Sequence, residues 1–536
     1  MESINAGTAG LPAVVDHVVV GAGAAGCVVA SRLAEDSRRT VILLEAGPVL
    51  DEHLVSTPAL APVLQQGASV HENLTVAQTG LGGRALSLMT GRGLGGGSSV
   101  NTLGWLQGQP GDFDGWSSSG ALGWSWENIA PYLRASEDHE LGAGPWHGAG
   151  GPIAVSTPRY IAPLTPAFLE SCEKLGIPVS DDLNGERRIA AGLVPGNIRA
   201  GRRSSVVTGY LAEAIDRDNL DVRVECPVTS LIIENGQVTG VRCGTDGGTE
   251  ILVRRGVVLA AGAIHTPKLL MLSGVGPADH LREVGVPVIV DLPGVGGNLR
   301  DHPLLPTLWP VLDAPGPRED DPESSYRLMQ RGPLSSSGQA LAAVRSSDAG
   351  SGPDLHLVIT PTLRGDALAA MVGPVLAATL GGAVLGVVGL LAPDSVGTVR
   401  LASSDFHDTP RVDPGYLSAP NDLTRMTAGL QQLQQIFTTD PLGSHLGPML
   451  GLALDADREQ TEDFIRGTTG SYYHPVGTAK IGLDETAVCT PRLQVRGLRG
   501  LHIADTSVFP TIVRANTHST AIAVAERAAE LIREDS

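Results

Sequence analysis

Three glycines, Gly21, Gly23 and Gly26, fall at Gly-x-Gly-x-x-Gly spacing in the run Gly21-Ala22-Gly23-Ala24-Ala25-Gly26. In such a run the first glycine makes a strand-to-helix turn, the second lets a pyrophosphate approach the backbone, and the third allows close helix packing. Glu45 follows roughly 20 residues on, at the end of the next strand pattern, where a carboxylate would accept hydrogen bonds from ribose hydroxyls. With strand, helix and acid all in place, the chemistry offered is dinucleotide binding rather than a plain tight turn.

The elements that must hold these residues read as patterns. Val18-Val19-Val20, a Gly-rich turn, an Ala/Val helix to Leu33 and Val41-Ile42-Leu43-Leu44 make a βαβ unit over residues 14–45. Residues 69–119, rich in Gly, Ser and Thr without strong periodicity, predict long ordered loops and a binding surface. Short alternating strands follow at 220–224, 230–233, 238–243 and 251–253, with Asn235-Gly236 as a hairpin turn, then a buried strand at 257–260. Beyond His302-Pro303 the chain becomes Pro-rich and irregular, then apolar, then helical over 422–437, where Leu423, Met426, Leu430, Leu433 and Ile436 recur at helical spacing. This stretch predicts a second domain. A strand at 501–504 and a helix from Thr517 to Arg533 close the chain, and no internal repeat is visible.

At 536 residues, with 42% hydrophobic and 18% charged residues, the chain has room for two or three domains and is neither disordered nor fibrous. Its 38 basic and 57 acidic side chains leave a net charge of −19, the wrong sign for coating nucleic acid and mildly favourable to cationic or neutral substrates. Five scattered cysteines, Cys27, Cys172, Cys226, Cys243 and Cys489, form no zinc or disulfide spacing. Residues 1–12 lack the basic start and apolar stretch of a signal peptide, so a cytoplasmic location is expected. Residues 367–393 carry no charge and would be long enough to span a bilayer, but Gly373, Pro374, Gly381, Gly382, Gly386 and Gly389 interrupt them. A buried or pocket-lining element is expected there, with membrane docking as the minority reading.

Two longer runs decide which dinucleotide is meant. Gly91-Arg92-Gly93-Leu94-Gly95-Gly96-Gly97-Ser98-Ser99-Val100-Asn101, continuing to Trp105, Gly108 and Asp114, resembles one signature of the glucose-methanol-choline (GMC) oxidoreductase family. Gly262-Ala263-Ile264-His265-Thr266-Pro267, continuing to Gly276, resembles the other. The resemblance covers most of the chain, including Trp146-His147-Gly148, the stretch from Pro293 to Asp301-His302-Pro303, and Asp413-Pro414, and is weakest between about residues 304 and 390. It implies an FAD enzyme in which the flavin accepts hydride from an alcohol carbon. Closely packed amides over 95–99 would form an anion-binding concavity for the cofactor. The implied FAD contacts are Gly21, Gly23, Gly26, Glu45, Arg92, Gly96, Gly97, Ser98, Asn101, Val228, Asp505 and Asn516.

Removing an alcohol's hydroxyl proton as hydride leaves requires a base and a partner for the oxygen. Ser471-Tyr472-Tyr473-His474-Pro475 resembles the family's histidine-proline segment, which makes His474 the base. Asn516 matches the position of a second histidine or an asparagine; its amide cannot take the proton but can orient the alcohol oxygen, and it could also cap the last helix. That helix would turn its positive end to the flavin, with Asp505 beside the phosphates or ribityl chain. His518, two residues past Asn516, is expected to face elsewhere as a structural residue.

Departures from the family pattern bear on the substrate. Val100 stands where some members carry a histidine bonded to flavin, so FAD is expected to be non-covalent. Residues 304–312 lack the acid of choline-type members, which disfavours choline, and Gln107 and Ala479-Lys480-Ile481 replace more usual family residues. The expected architecture is α/β: a discontinuous Rossmann-like FAD domain (1–160, 196–303 and 475–536) with a substrate domain (161–195 and 304–474) built on a mixed or antiparallel sheet under helices. The expected activity is oxidation of a neutral, rather apolar alcohol to an aldehyde or ketone, with oxygen or another electron acceptor. A dehydrogenase passing electrons to a quinone or protein is the first alternative and an FAD-containing hydroxynitrile-type lyase the second, with a photochemical decarboxylase and a pure binding protein more remote.

Overall fold

The computed structural model describes residues 4–246, 248–313, 322–347 and 352–535. Its larger sheet has eight strands around Val14–Val20, which is buried in six of its seven residues and runs parallel to Val41–Leu44 on one side and to Thr249–Leu259, from Leu252 onward, on the other. A β-branched run buried on both faces suits the centre of a parallel sheet. Thr249–Leu259 merges the two short strands expected at 251–253 and 257–260 into one; a register shift between Val253 and Gly256 marks the join. Before the shift it pairs antiparallel with Gln237–Cys243, and after it runs parallel to Leu501–Ile503. Helix Ala24–Leu33 packs between this sheet and the last helix, His518–Asp535.

A second, six-stranded sheet is antiparallel throughout, in the order Gly470–Ser471, Pro303–Pro310, Ala383–Leu390, Leu355–Ile359, Ala340–Val344, Ala190–Leu193. Helix Pro420–Thr438 lies on it, and all five of the apolar residues that repeat along this helix are buried. Each sheet has its own hydrophobic cluster.

Two sequence expectations are corrected, and a third holds for only part of its range. The Pro-rich stretch after His302 is a strand rather than irregular chain: Pro303–Pro310 alternates buried and half-buried residues. Beyond Leu304 one of its edges is unpaired in this sheet, where prolines cost no ladder bond. Residues 69–119 are not mainly loop; they hold the hairpin Val70–Leu74 with Ser87–Gly91 and helices Gly97–Val100 and Pro110–Ser118. Residues 367–393 divide into parts. Helices Gly365–Val372 and Pro374–Leu380 leave Met371, Val375 and Leu376 exposed, whereas Ala383–Leu390 is an inner strand of the second sheet. Among the described residues no helix is long and apolar enough to cross a membrane.

Candidate active site

The glycine motif folds as its spacing requires. Gly21 has φ +97° and a side chain there would meet the Ala260 carbonyl at 2.7 Å, while a Cβ on Gly26 would stand 1.8 Å from the Gly21 carbonyl oxygen. Both positions exclude any larger residue. Gly23 is different: the space beside it is open, and it lines a cavity of about 770 Å³ that receives residues from both sheets.

Along that cavity lie Gly21, Gly23, Glu45, Gly96, Gly97, Ser98, Asn101, Val228, Asp505, Asn516 and His474. Of the expected site residues, Gly26 and Arg92 are not on its wall; Gly26 is packing, and the Arg92 guanidinium points to the carbonyls of Ala46 and Ala68. Glu45 accepts backbone N–H groups from Ala22 (2.9 Å), Gly47 (2.8 Å) and Gly93 (3.0 Å), so it ties the two glycine-rich loops together as well as facing the cavity. Burial raises its pKa, and these three donors work against that shift. Asp505 accepts from the Gly262 and Ser507 amides (each 2.8 Å) and from the Thr266 hydroxyl (2.6 Å).

At the other end His474 and Asn516 meet, Asn516 Nδ2 standing 3.2 Å from His474 Nε2. The last helix begins at His518, so Asn516 precedes it by two residues and its amide goes to His474. Burial, with a smaller effect of His356, pushes the His474 pKa down to about 3, so the imidazole is neutral at physiological pH. Leu304, Pro306, Leu341, Val358, Leu385 and Val387 of the second sheet form the wall here, with Tyr472 and Tyr473 beside His474. Tyr473 sits at φ +62°, a strained backbone for an aromatic residue.

The structure also brings in residues to which sequence reasoning assigned no role. Asp301 is buried and accepts the backbone N–H of His302 (2.9 Å) and of His474 (2.8 Å), the Ser471 hydroxyl (2.5 Å) and the Tyr416 hydroxyl. Burial outweighs these donors and lifts its pKa to about 6. Arg203, 4% exposed, donates to the Asn101 side chain (2.6 Å), the Asn101 carbonyl (2.8 Å) and the Ser98 carbonyl (3.3 Å), bracing the loop between Ser98 and Asn101. No spacing signal marks Arg203, because its partners lie about a hundred residues away in the chain; Asp301-His302-Pro303 was visible only as part of a family segment. His518 corrects an expectation: it lines the same cavity as Asn516, edge-on to Trp105, with both ring nitrogens buried and without partners. Gln107 lies off the cavity wall, bonded to Glu137.

The family models for GMC oxidoreductases match residues 15–304 and 393–525. Human mitochondrial choline dehydrogenase is 33% identical over 96% of this chain and 89% of its own. An alcohol dehydrogenase [acceptor] of Pseudomonas putida is 34% identical over 96% and 95%. Among solved structures, pyridoxine 4-oxidase from Mesorbium loti superposes with a TM-score of 0.87 at 31% identity, covering 96% of this chain and 98% of that one. Two glycine-rich loops and a neutral histidine on one cavity and these matches agree: the chain belongs to the GMC oxidoreductase family and is an FAD-dependent oxidoreductase acting on CH–OH donors.

Proposed function

We propose that the protein oxidises a neutral, rather apolar alcohol to an aldehyde or ketone, with His474 as the base. The observation that carries this reading is the meeting of His474 and Asn516 at a wall made of Leu304, Pro306, Leu341, Val358, Leu385 and Val387. Such a wall solvates an alkyl or aryl group and offers no carboxylate to a quaternary ammonium. The relatives named choline dehydrogenase therefore point to the reaction more than to the substrate.

The cavity suits FAD on its own residues. Cβ atoms added at Gly23, Gly97 or Gly262 would project into open space, the cradle that a cofactor approaching the backbone fills. Glu45 and Val228 would hold it at one end, Gly96, Gly97, Ser98 and Asp505 along its length, and Asn101 and Asn516 near the ring; Val100 leaves it non-covalent. Bound there, FAD supplies the hydride acceptor. The chain's part is to orient the alcohol oxygen through the Asn516 amide, take its proton at His474 Nε2, and exclude water with the apolar wall. Oxygen or another acceptor then completes the cycle. We read residues 1–160, 196–303 and 475–536 as the FAD unit, and 161–195 and 304–474 as the substrate unit; the strands of the six-stranded sheet fall in the second set, Pro303 excepted.

Anaerobic mixing with a panel of alcohols tests the proposal through the flavin's blue-region absorbance. Alkyl or aryl alcohols are expected to bleach it, and His474→Ala is expected to slow bleaching by about 10²–10⁴-fold with FAD still bound. Bleaching by sugars and choline alone would overturn the substrate class, and near-normal bleaching in the variant would overturn the base.

A further inference from the structure

Next to His474 stands a second imidazole that the reaction so far leaves idle. His302 is fully buried, its ring meets that of His474 edge-on with centroids 5.2 Å apart, and the two Nδ1 atoms are 3.0 Å apart. Between two neutral imidazoles such a contact holds one proton, so one ring donates and the other accepts. The Asn516 amide decides which. Its nitrogen, a donor only, stands 3.2 Å from His474 Nε2, so that ring nitrogen is an acceptor and the hydrogen of the neutral His474 ring sits on Nδ1. His302 Nδ1 is therefore the acceptor, and the hydrogen of its own ring lies on Nε2, which is buried without a hydrogen-bond partner. His474 then donates from its own Nδ1, which leaves its Nε2 bare, the nitrogen that faces the Asn516 amide.

We propose that His302 is a positioning residue that holds His474 in the Nδ1–H tautomer and shares the positive charge formed when Nε2 takes the alcohol's proton. This rests on the reading of His474 as base. The alcohol O–H bond breaks and an N–H bond forms at His474 Nε2; the freed electron pair makes the C=O bond as hydride leaves the carbon for the bound FAD. The proton between the two Nδ1 atoms stays there. The other titratable groups facing the pair are His356, Tyr472 and Asp301. Asp301 holds the backbone amides of both histidines and bonds to neither ring. Among the described residues, then, the neutral imidazole of His302 does what an aspartate does behind a serine-protease histidine: it fixes tautomer and orientation.

The tautomer can be read directly by NMR of the holoenzyme with ¹⁵N-labelled histidine, using His474→Ala for assignment. A proton on Nδ1 and a bare Nε2 are expected at His474; a proton on Nε2 in the resting protein overturns the proposal. Variants give the second readout. His302→Leu removes the acceptor and fills its space, while His302→Asn returns an acceptor oxygen. Flavin reduction is expected to fall about tenfold or more in His302→Leu, with the limb of its pH profile that reports the base moving to lower pH, and to recover in His302→Asn. A folded His302→Leu with unchanged rate and limb, or two variants equally impaired, would make His302 packing alone. If His302→Leu does not fold, the NMR result on the unaltered protein decides. Failure of every alcohol to reduce the unaltered protein would strike the reaction, whereas the tautomer is read without any substrate.

Discussion

The amide nitrogen of Asn516 lies 3.2 Å from Nε2 of His474, so a group that binds without titrating is set against the nitrogen proposed to accept the alcohol's proton. In the resting protein the amide occupies the lone pair, and an incoming hydroxyl has to exchange that bond for its own. Asn516→Ala is expected to lower flavin reduction by about 10- to 100-fold, through loss of orientation, with the base still titrating where it did. Asn516→Asp sets a carboxylate beside Nε2, favours the imidazolium, and moves the base's limb of the pH profile upward. Stopped-flow reduction across pH separates the two, and an unmoved limb in the aspartate variant would mean that the contact plays no part in the base's titration.

Val100 ends the short helix Gly97–Val100 on the cavity wall, and its side chain has no atom that bonds to a flavin. Unfolding in acid or concentrated denaturant is therefore expected to release the yellow colour into the protein-free filtrate as FAD. Colour that stays with the precipitated chain would reveal an attachment through another cavity residue.

What the sequence disclosed depended on how local the physics was. Gly21 to Gly26 and Glu45 act within one βαβ unit, so spacing alone reported the turn and the open approach at Gly23. His474 and Asn516 were legible only through family segments, because a lone histidine and a lone asparagine carry no periodic signal. The rule that residues two apart on a helix diverge misplaced His518: the helix begins at His518, and Asn516 lies in the irregular chain before it. Pro303–Pro310 was hidden by its prolines, which an edge position tolerates. The ring partnership of His302 with His474 spans 172 residues, and no local pattern could announce it.

Arg203 is the clearest of these long-range dependencies. Its guanidinium reaches the Ser98 and Asn101 carbonyls and the Asn101 side chain, and its Nε the Val55 carbonyl (2.8 Å), all from a buried position. Arg203→Leu leaves those acceptors without their donor, and a loss of about 2–4 kcal/mol is expected. Because two of the partners belong to the loop proposed to cradle FAD, cofactor affinity should fall at least tenfold as well. Arg203→Lys, without the planar fork, should recover only part of either loss. Thermal melting and titration of the apoprotein with FAD measure both, and a variant that melts early yet binds FAD normally would remove Arg203 from the cofactor argument.

A last prediction concerns pH and lies away from the cavity. His147 is wedged between two acids, Nδ1 3.2 Å from Glu137 and Nε2 3.0 Å from Asp182, with only 8% of its side chain exposed. Burial disfavours its charged form, but the hydrogen bonds to Asp182 and Glu137 outweigh burial and raise its pKa to about 9. A folded-state pKa above the unfolded value means that the native protein binds this proton more tightly. The stabilisation is therefore complete below the unfolded value of 6.5 and is lost as pH rises to about 9. A loss of about 2–3 kcal/mol is expected across that window. His147→Gln keeps two polar contacts without a proton to lose, so its melting temperature should be lower at pH 6 and run nearly flat to pH 9, a window set by the same shift. Parallel curves for the two proteins would show that the bridge between Glu137 and Asp182 does not depend on the charge of His147.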